Sequence, residues 1–169
     1  MGERVGIALG ANLGERLATL AAARDRLRDL AVAGAEFRQS SVYATEPVGC
    51  PDGSPDFYNA VIELSYAGEP LELLAATQAI EAGFGRLRTG ERNAPRPLDI
   101  DLLYFGNREL RESRLELPHP RLAERKFVLV PLAQIRPDLL LPGQVDKLAI
   151  LRDGLRTNEA EPREVAVLW

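Results

Sequence analysis

The sequence predicts an α+β domain with the split βαβ arrangement, in which an antiparallel four-stranded sheet carries helices on one face. Two observations support this fold class. Apolar residues alternate along four segments, as they do in strands packed on one side, and apolar residues at helical spacing follow the first and third of these segments. The resulting order is strand, helix, strand, strand, helix, strand, which is the order of that arrangement.

The first half of the chain supplies three strands and one helix. Alternation over residues 5–9 predicts a first strand of about five residues, and apolar residues at helical spacing predict an amphipathic helix over residues 14–32. Strand patterns follow at residues 37–45 and at Phe57–Tyr66. The connection between these two strands, residues 46–56, holds three prolines and two glycines and is too long for an ordinary hairpin, so we expect a binding loop there.

Pro70 begins the second predicted helix, in a position that suits proline. Its inward stripe consists of four residues at helical spacing, Leu73, Thr77, Ile80 and Phe84. Gln78 and Glu81 are three residues apart and are expected to share a different face. A later apolar segment, residues 127–135, is predicted to form another helix.

The fourth strand, residues 96–106, carries the most informative pair of residues, Asp99 and Asp101. Side chains alternate along a strand, so both carboxylates point the same way, about 7 Å apart at the backbone. The opposite face is then covered by apolar residues, Leu98, Ile100, Leu102 and Tyr104. Two neighbouring acids on an apolar strand repel each other unless they are neutralised, and a divalent cation such as Mg²⁺ suits their oxygen ligands.

Arginines are concentrated immediately before this strand, at Arg86, Arg88, Arg92 and Arg96, in a stretch that also contains glycine and proline. Guanidinium groups bind phosphate oxygens in pairs, so the arginines together with the carboxylates indicate a phosphate–Mg²⁺ complex. The single histidine, His119, lies between two prolines and is flanked by further basic residues. Phe57 and Asn59 share a strand face beside the binding loop, where an aromatic ring and an amide would suit a flat heterocycle.

Composition restricts the class of protein. The 169 residues predict one domain over 1–169, and a net charge of −4 argues against nonspecific binding to nucleic acid. With Cys50 as the single cysteine, no internal disulfide can form, which is typical of a reducing compartment. We see no signal peptide or membrane-spanning run, and expect a cytoplasmic protein without a membrane partner. Phosphate loops of the GxxxxGK[ST] type, GxGxxG motifs and Cys/His metal sites are absent from the sequence.

Several motifs together resemble one family. The run 93–103, Asn-Ala-Pro-Arg-Pro-Leu-Asp-Ile-Asp-Leu-Leu, resembles the hallmark of the 6-hydroxymethyl-7,8-dihydropterin pyrophosphokinases. Matching pieces follow in order and spacing at residues 10–13, 45–49, 56–60, 117–121 and 125–127, so the resemblance spans nearly the full chain. Asn93, Thr89, Pro120 and Glu46 depart from the residues common in that family.

The resemblance implies a ferredoxin-like fold and ATP-dependent transfer of pyrophosphate to the pterin, with release of AMP. Asp99 and Asp101 would hold two Mg²⁺ ions, while Arg86 and Arg96 would stabilise the transferring group. The implied ATP-binding residues are Gln78, Glu81, Arg88, Leu102, Arg114, His119 and Arg125. The implied pterin-binding residues are Thr45, Val48, Phe57, Asn59 and Phe127. The expected partners are the two substrates, ATP and 6-hydroxymethyl-7,8-dihydropterin, and the expected oligomeric state is a monomer.

Two other functions fit the same topology. A palm-type nucleotidyl transferase also places paired aspartates on such a sheet, but it would release pyrophosphate and would carry a larger basic groove. An RNA-binding module would present stacked aromatic residues on a basic sheet face. This chain instead has two acids on a strand whose apolar residues predict a central, buried position, and it is acidic as a whole.

Overall fold

The computed structural model describes residues 1–47, 49–85 and 97–169. Its main sheet contains six strands, β1 (Glu3–Ala11), β2 (Arg38–Gln39), β3 (Val42–Thr45), β4 (Phe57–Tyr66), β5 (Asp99–Phe105) and β8 (Arg163–Ala166). The short strands β6 (Leu110–Arg111) and β7 (Glu116–Leu117) pair with each other. The helices of these ranges are α1 (Arg16–Arg28), α2 (Pro70–Gly83), α3 (Lys126–Ile135) and α4 (Leu148–Gly154), with a 3₁₀ turn at Leu122–Glu124.

The strands follow the order β5-β1-β4-β3-β8, with β2 also on β4, and every pairing is antiparallel. This order confirms the predicted split βαβ fold, but among the described strands it places β5 at one edge of the sheet and not at the predicted centre; its apolar residues are buried by the helices on both faces instead. Strand β4 has the predicted bounds, whereas β1 is nine residues long rather than about five. The predicted strand over 37–45 is interrupted at Ser40 and Ser41. The Ser40 hydroxyl donates to the Ser41 carbonyl at 2.7 Å and accepts from the Val61 N–H at 2.9 Å, so a side chain replaces part of the regular ladder.

The helices of the split βαβ unit pack on one face of the sheet, as predicted. Side chains such as Leu20 and Leu27 of α1 and Leu73 and Ile80 of α2 join strand residues in one buried core. After this unit, α3 and α4 cover part of the opposite face in a second core, with Val128, Leu129 and Leu132 among its buried members. The sequence did not predict that the sheet has helices on both faces.

Two predicted details of α2 need correction. Leu73, Thr77 and Ile80 are buried as expected, but Phe84 is only half-buried. Glu81 is 5% exposed and does not share the exposed face of Gln78. It follows Thr77 by one helical turn, and this spacing places it on the inward stripe.

A β-bulge in β5 changes the predicted face of Tyr104. Gly6 pairs with Tyr104 and the next residue of β1 pairs with Leu102, so Leu103 is the extra residue. Phe105, not Tyr104, therefore joins Leu102 in the core under α1 and α2. Tyr104 turns to the α3 side, where its ring occupies the space above Gly6. A Cβ at Gly6 would lie 2.2 Å from Tyr104 Cε1, so the close approach requires glycine.

The tail of the chain returns to the sheet edge. Strand β8 pairs with β3, and the Trp169 Nε1–H donates to the Ser40 carbonyl at 2.8 Å. None of the helices in the described ranges has both the length and the apolar character needed to cross a membrane.

Candidate active site

The register of three neighbouring strands gathers polar side chains on the sheet face that α3 partly covers. Gly10 of β1 lies between Asn59 of β4 and Asp99 of β5, and Ala8 lies in the same way opposite Asp101. Cross-strand partners share a face, so both carboxylates and the amide point to the same side. This confirms the predicted common face of Asp99 and Asp101.

Small residues keep the centre of this face open. A Cβ built at Gly10 would lie 2.9 Å from Asn59 Oδ1 and 4.0 Å from Asp99 Cβ. The absence of that atom lets the amide reach over β1 toward β5. Ala8 is the corresponding small residue beside Asp101. The floor of the site therefore consists mainly of backbone, with functional groups on both sides of it.

A cleft of about 230 Å³ opens above this floor. Five elements or their flanking loops contribute to its walls: the end of β3, β4, β5, the start of α3 and the C-terminal tail. Its described lining contains seven of the residues predicted to bind substrate or metal, Thr45, Phe57, Asn59, Asp99, Asp101, Arg125 and Phe127. The fold thus brings together residues that are as far as 82 positions apart in the chain (45 to 127).

One end of the cleft has the character of a site for a flat, polar ring. Phe57 and Phe127 are half-buried aromatic residues from different elements, and both line the cleft. Asn59 Nδ2 donates to Thr45 Oγ1 at 2.6 Å, which fixes the orientation of the amide. Aromatic surface with one oriented amide can hold a planar heterocycle and read its edge.

The other end combines acids with arginines. Asp99 and Asp101 are half-buried, and Arg121 and Arg125 line the same cleft. Burial and the nearby charge of Arg121 lower the pKa of Arg125, while Asp101 and Asp99 act in the opposite direction. The Arg125 guanidinium also lies 5.4 Å from the Phe127 ring centroid, at the boundary between the two ends.

The carboxylate pair fits a hard divalent cation. Both groups offer oxygen ligands from the same strand face, and they lie beside cationic side chains that can hold an anion. Across 1–47, 49–85 and 97–169, no group of three or more His, Cys, Asp or Glu side chains forms a metal site. Water and substrate oxygens can complete the ligands, as is usual for Mg²⁺ bound with phosphates.

His119 lies next to this end without lining the cleft. Its backbone N–H donates to the Leu103 carbonyl at 2.7 Å, and its Nδ1 accepts from the Arg121 N–H at 3.1 Å. Burial lowers the pKa of His119, and the charges of Arg125 and Arg121 lower it further. The ring is therefore neutral at pH 7, with its proton on Nε2 available to donate.

The other predicted ATP-binding residues lie outside the described cleft lining. Gln78 is exposed on α2, and Arg114 is exposed beyond β6. The Leu102 side chain is buried in the core under α1 and α2. Glu81 Oε1 accepts the backbone N–H of Ile100 at 2.7 Å, directly between the two aspartates. Four predicted residues, Val48, Arg86, Arg88 and Arg96, are outside the described residues, as are Thr89 and Asn93.

Glu46, Gly49 and Cys50 of the predicted binding loop line the cleft, whereas Gly10, Arg121 and Glu159 also line it without having been predicted as site residues. Arg121 had a local signal, because it follows the Pro-His-Pro turn in a basic stretch. Glu159 had no such local signal, since it reaches the cleft only through packing of the C-terminal tail.

Comparisons with known proteins give the family of the chain. Residues 6–137 match the family model described as 7,8-dihydro-6-hydroxymethylpterin-pyrophosphokinase (HPPK). The 2-amino-4-hydroxy-6-hydroxymethyldihydropteridine pyrophosphokinase of Pseudomonas aeruginosa is 43% identical over 143 residues, which cover 83% of this chain and 85% of the relative. The Synechocystis enzyme of the same name is 44% identical over 138 residues, covering 80% of this chain and 68% of that protein.

A solved structure supports the fold at low sequence identity. Wild-type Plasmodium falciparum HPPK-DHPS with pteroate matches with a TM-score of 0.69 and 13% identity, over 90% of this chain. The chain spans 42% of that longer protein. From the family match over most of its length and the identity to relatives of similar size, the chain belongs to the 7,8-dihydro-6-hydroxymethylpterin-pyrophosphokinase family.

Proposed function

We propose that this chain transfers the pyrophosphoryl group of ATP to the hydroxymethyl oxygen of 6-hydroxymethyl-7,8-dihydropterin and releases AMP, as a step of folate biosynthesis. One observation carries the proposal: a single cleft joins the paired aspartates of β5 to the ring site formed by Phe57, Asn59 and Phe127. Membership of the family supports the reaction, and the cleft supports where each substrate lies.

The pterin occupies the aromatic end of the cleft. Its flat ring system stacks between Phe57 and Phe127, with the Asn59 amide at its edge. Because the Thr45 hydroxyl accepts from Nδ2, the amide presents its oxygen and its second N–H in a fixed orientation. In this pose the hydroxymethyl group points toward the aspartates, and Val48 is a further pterin contact, as the family resemblance implies.

ATP binds at the charged end. Asp99 and Asp101 would hold the Mg²⁺ ions, two in this proposal, which would neutralise the triphosphate and lower the proton affinity of the hydroxymethyl oxygen. Arg121 and Arg125 bind phosphate oxygens from the wall of the cleft, and neutral His119 donates from Nε2. Gln78, Arg88 and Arg114 complete the phosphate contacts, and Arg86 and Arg96 stabilise the transferring group, as the family resemblance implies.

The protein contributes position and charge more than covalent chemistry. The hydroxymethyl oxygen forms a bond to the β-phosphorus, and the bond from that phosphorus to the oxygen shared with the α-phosphate breaks. AMP leaves with this oxygen, and the hydroxymethyl proton passes to solvent. Holding both reactants in one cleft converts the encounter into an intramolecular step, and the arginines oppose the charge of the transferring group.

The product nucleotide tests the proposal. The protein is incubated with Mg²⁺, ATP and the pterin, and the nucleotides are separated by ion-exchange chromatography. Pterin-dependent AMP with a diphosphorylated pterin is the expected result. ADP as the product, or no turnover that depends on the pterin, would refute it, and pyrophosphate release would favour the nucleotidyl transferase.

The proposal includes a monomer that acts in the cytoplasm on these two small molecules, without a nucleic-acid or membrane partner. A single cysteine in 169 residues is typical of reducing compartments, and the acidic net charge disfavours nucleic acid.

A further inference from the structure

The C-terminal tail contributes to the cleft although it lies outside residues 6–137, which the family model matches. Glu159 lines the cleft together with Phe127 and Asn59. Residues 157–160 and Pro162 also line a neighbouring cavity of about 300 Å³, whose other walls include Thr45 and Phe127. Phe127 thus stands between the substrate cleft and the tail, and a shift of the tail would change the space on both sides of its ring.

The ammonium group of Lys126 contacts the part of the tail that lines these cavities, which we define as residues 157–162. Lys126 Nζ lies 2.5 Å from a Glu161 carboxylate oxygen and donates to the Glu159 carbonyl at 3.3 Å. The Lys126 side chain is only 14% exposed, whereas that of Glu161 is 76% exposed. A largely buried ammonium needs its partners, so the tail and the lysine hold each other in place.

The position of Lys126 in the fold makes this tether relevant to the site. Lys126 is the first residue of α3 and directly precedes Phe127. The far end of the tail is fixed as well, because Arg163 of β8 pairs with Ala44 of β3, next to Thr45. Residues 157–162 are therefore held between two points that each adjoin a predicted pterin contact.

We propose that residues 157–162 form a wall of the pterin subsite and that Lys126 is a positioning residue, whose pair with Glu161 sets pterin affinity through Phe127 and Glu159. This inference rests on the proposed function. Thr45 and Phe127, two predicted pterin contacts, line the neighbouring cavity together with the tail, whereas Asp99 and Asp101 do not line it. Of the groups assigned to ATP, Arg125 directly precedes Lys126 in the chain, so we expect the larger effect on the pterin and a smaller one on ATP.

Steady-state kinetics of Lys126→Gln tests this proposal, with Lys147→Gln as the matched control. Lys147 is the other lysine of the chain, and its 3.7 Å pair with Asp138 is exposed. For Lys126→Gln we expect the KM for the pterin to rise about three- to tenfold, the range of a partly buried charged hydrogen bond. The KM for ATP should stay within about twofold, and the control should match wild type in both.

A conservative variant separates positioning from general structural damage. Lys126→Arg keeps the charge and should restore most of the pterin affinity, while Glu161→Gln should reproduce the loss. Because Glu161 is exposed, we expect Glu161→Gln to fold, so it keeps the test valid if Lys126→Gln fails to fold. Equal changes in both KM values, or none, would overturn the proposal. An inactive wild-type protein would instead refute the proposed function.

Discussion

The buried carboxylate of Glu81 offers the most direct test of how the site is supported. Family resemblance assigns Glu81 to ATP binding, yet its Oε1 accepts the Ile100 N–H at 2.7 Å and the residue is 5% exposed. Ile100 separates the two aspartates on β5, so this bond holds the strand where the proposed metal ligands begin. We predict that Glu81→Ala lowers the stability of the fold as well as turnover.

The magnitude follows from the group that is left without its partner. A hydrogen bond to a charged acceptor contributes about 1.5–3 kcal/mol, and the unsatisfied N–H of the buried strand adds to the loss. In a domain of this length, each 1 kcal/mol shifts Tm by about 2–4 °C, so Glu81→Ala should lower Tm by about 5–10 °C. Glu81→Gln retains an oxygen acceptor and should lower Tm by less than half as much.

Thermal unfolding followed by circular dichroism measures the loss of stability. Steady-state kinetics measure kcat and the KM for ATP. A supporting role predicts a clear Tm loss in Glu81→Ala and a fall in kcat as β5 shifts. A direct ligand of ATP would behave differently, with a raised KM for ATP in both variants and an unchanged Tm. That second pattern would refute the supporting role.

Three further predictions concern the site and the sheet beneath it. Asp99→Asn and Asp101→Asn should each lower kcat at least about 100-fold at saturating Mg²⁺ while Tm stays within a few degrees; retained turnover would remove the metal role. Phe127→Ala should weaken pterin binding in calorimetry about tenfold more than ATP binding, because it removes one stacking surface; equal losses would contradict it. Gly6→Ala should cost about 1–3 kcal/mol in urea unfolding, since the new Cβ would lie 2.2 Å from the Tyr104 ring, and unchanged stability would argue against that close approach.

Much of the fold could be predicted because its strands obey a simple period. The pattern of β4 predicted both of its ends. Alternation placed Phe57 and Asn59 on one face of the strand, and Tyr58, Ala60 and Ile62 on the other. The same alternation predicted that Asp99 and Asp101 share one face of β5, and the strand register confirms this. Local periodicity is sufficient to predict the face of each side chain where every residue has one regular partner on the next strand.

The errors occur where that regularity fails. The bulge in β5 shifts the alternation of side chains by one residue. The residue that indicates this bulge is Gly6 on the neighbouring strand β1, and not a residue of β5 itself. Ser40 interrupts a strand through its own hydroxyl, and Glu81 is buried although its spacing from Gln78 predicted a face away from the inward stripe. Glu159 lines the cleft with Phe57, which lies 102 positions earlier in the chain, and no local pattern contains that proximity.

Helix α3, whose first turn carries Phe127, is connected to two of these features, the bulge of β5 and the C-terminal tail. At its C-terminal end, Arg136 pairs with Glu63, a carboxylate that is fully buried and also receives Tyr104 and Arg4. The bulge is what turns the Tyr104 hydroxyl toward this group. At its N-terminal end, Lys126 pairs with an exposed carboxylate of the tail. Removing a partner from a buried charge destabilises a fold by about 3–5 kcal/mol, so the pair with Glu63 fixes the C-terminal end of α3 to the sheet. The other end, which carries the proposed pterin contact, is held by the tail through the largely buried Lys126.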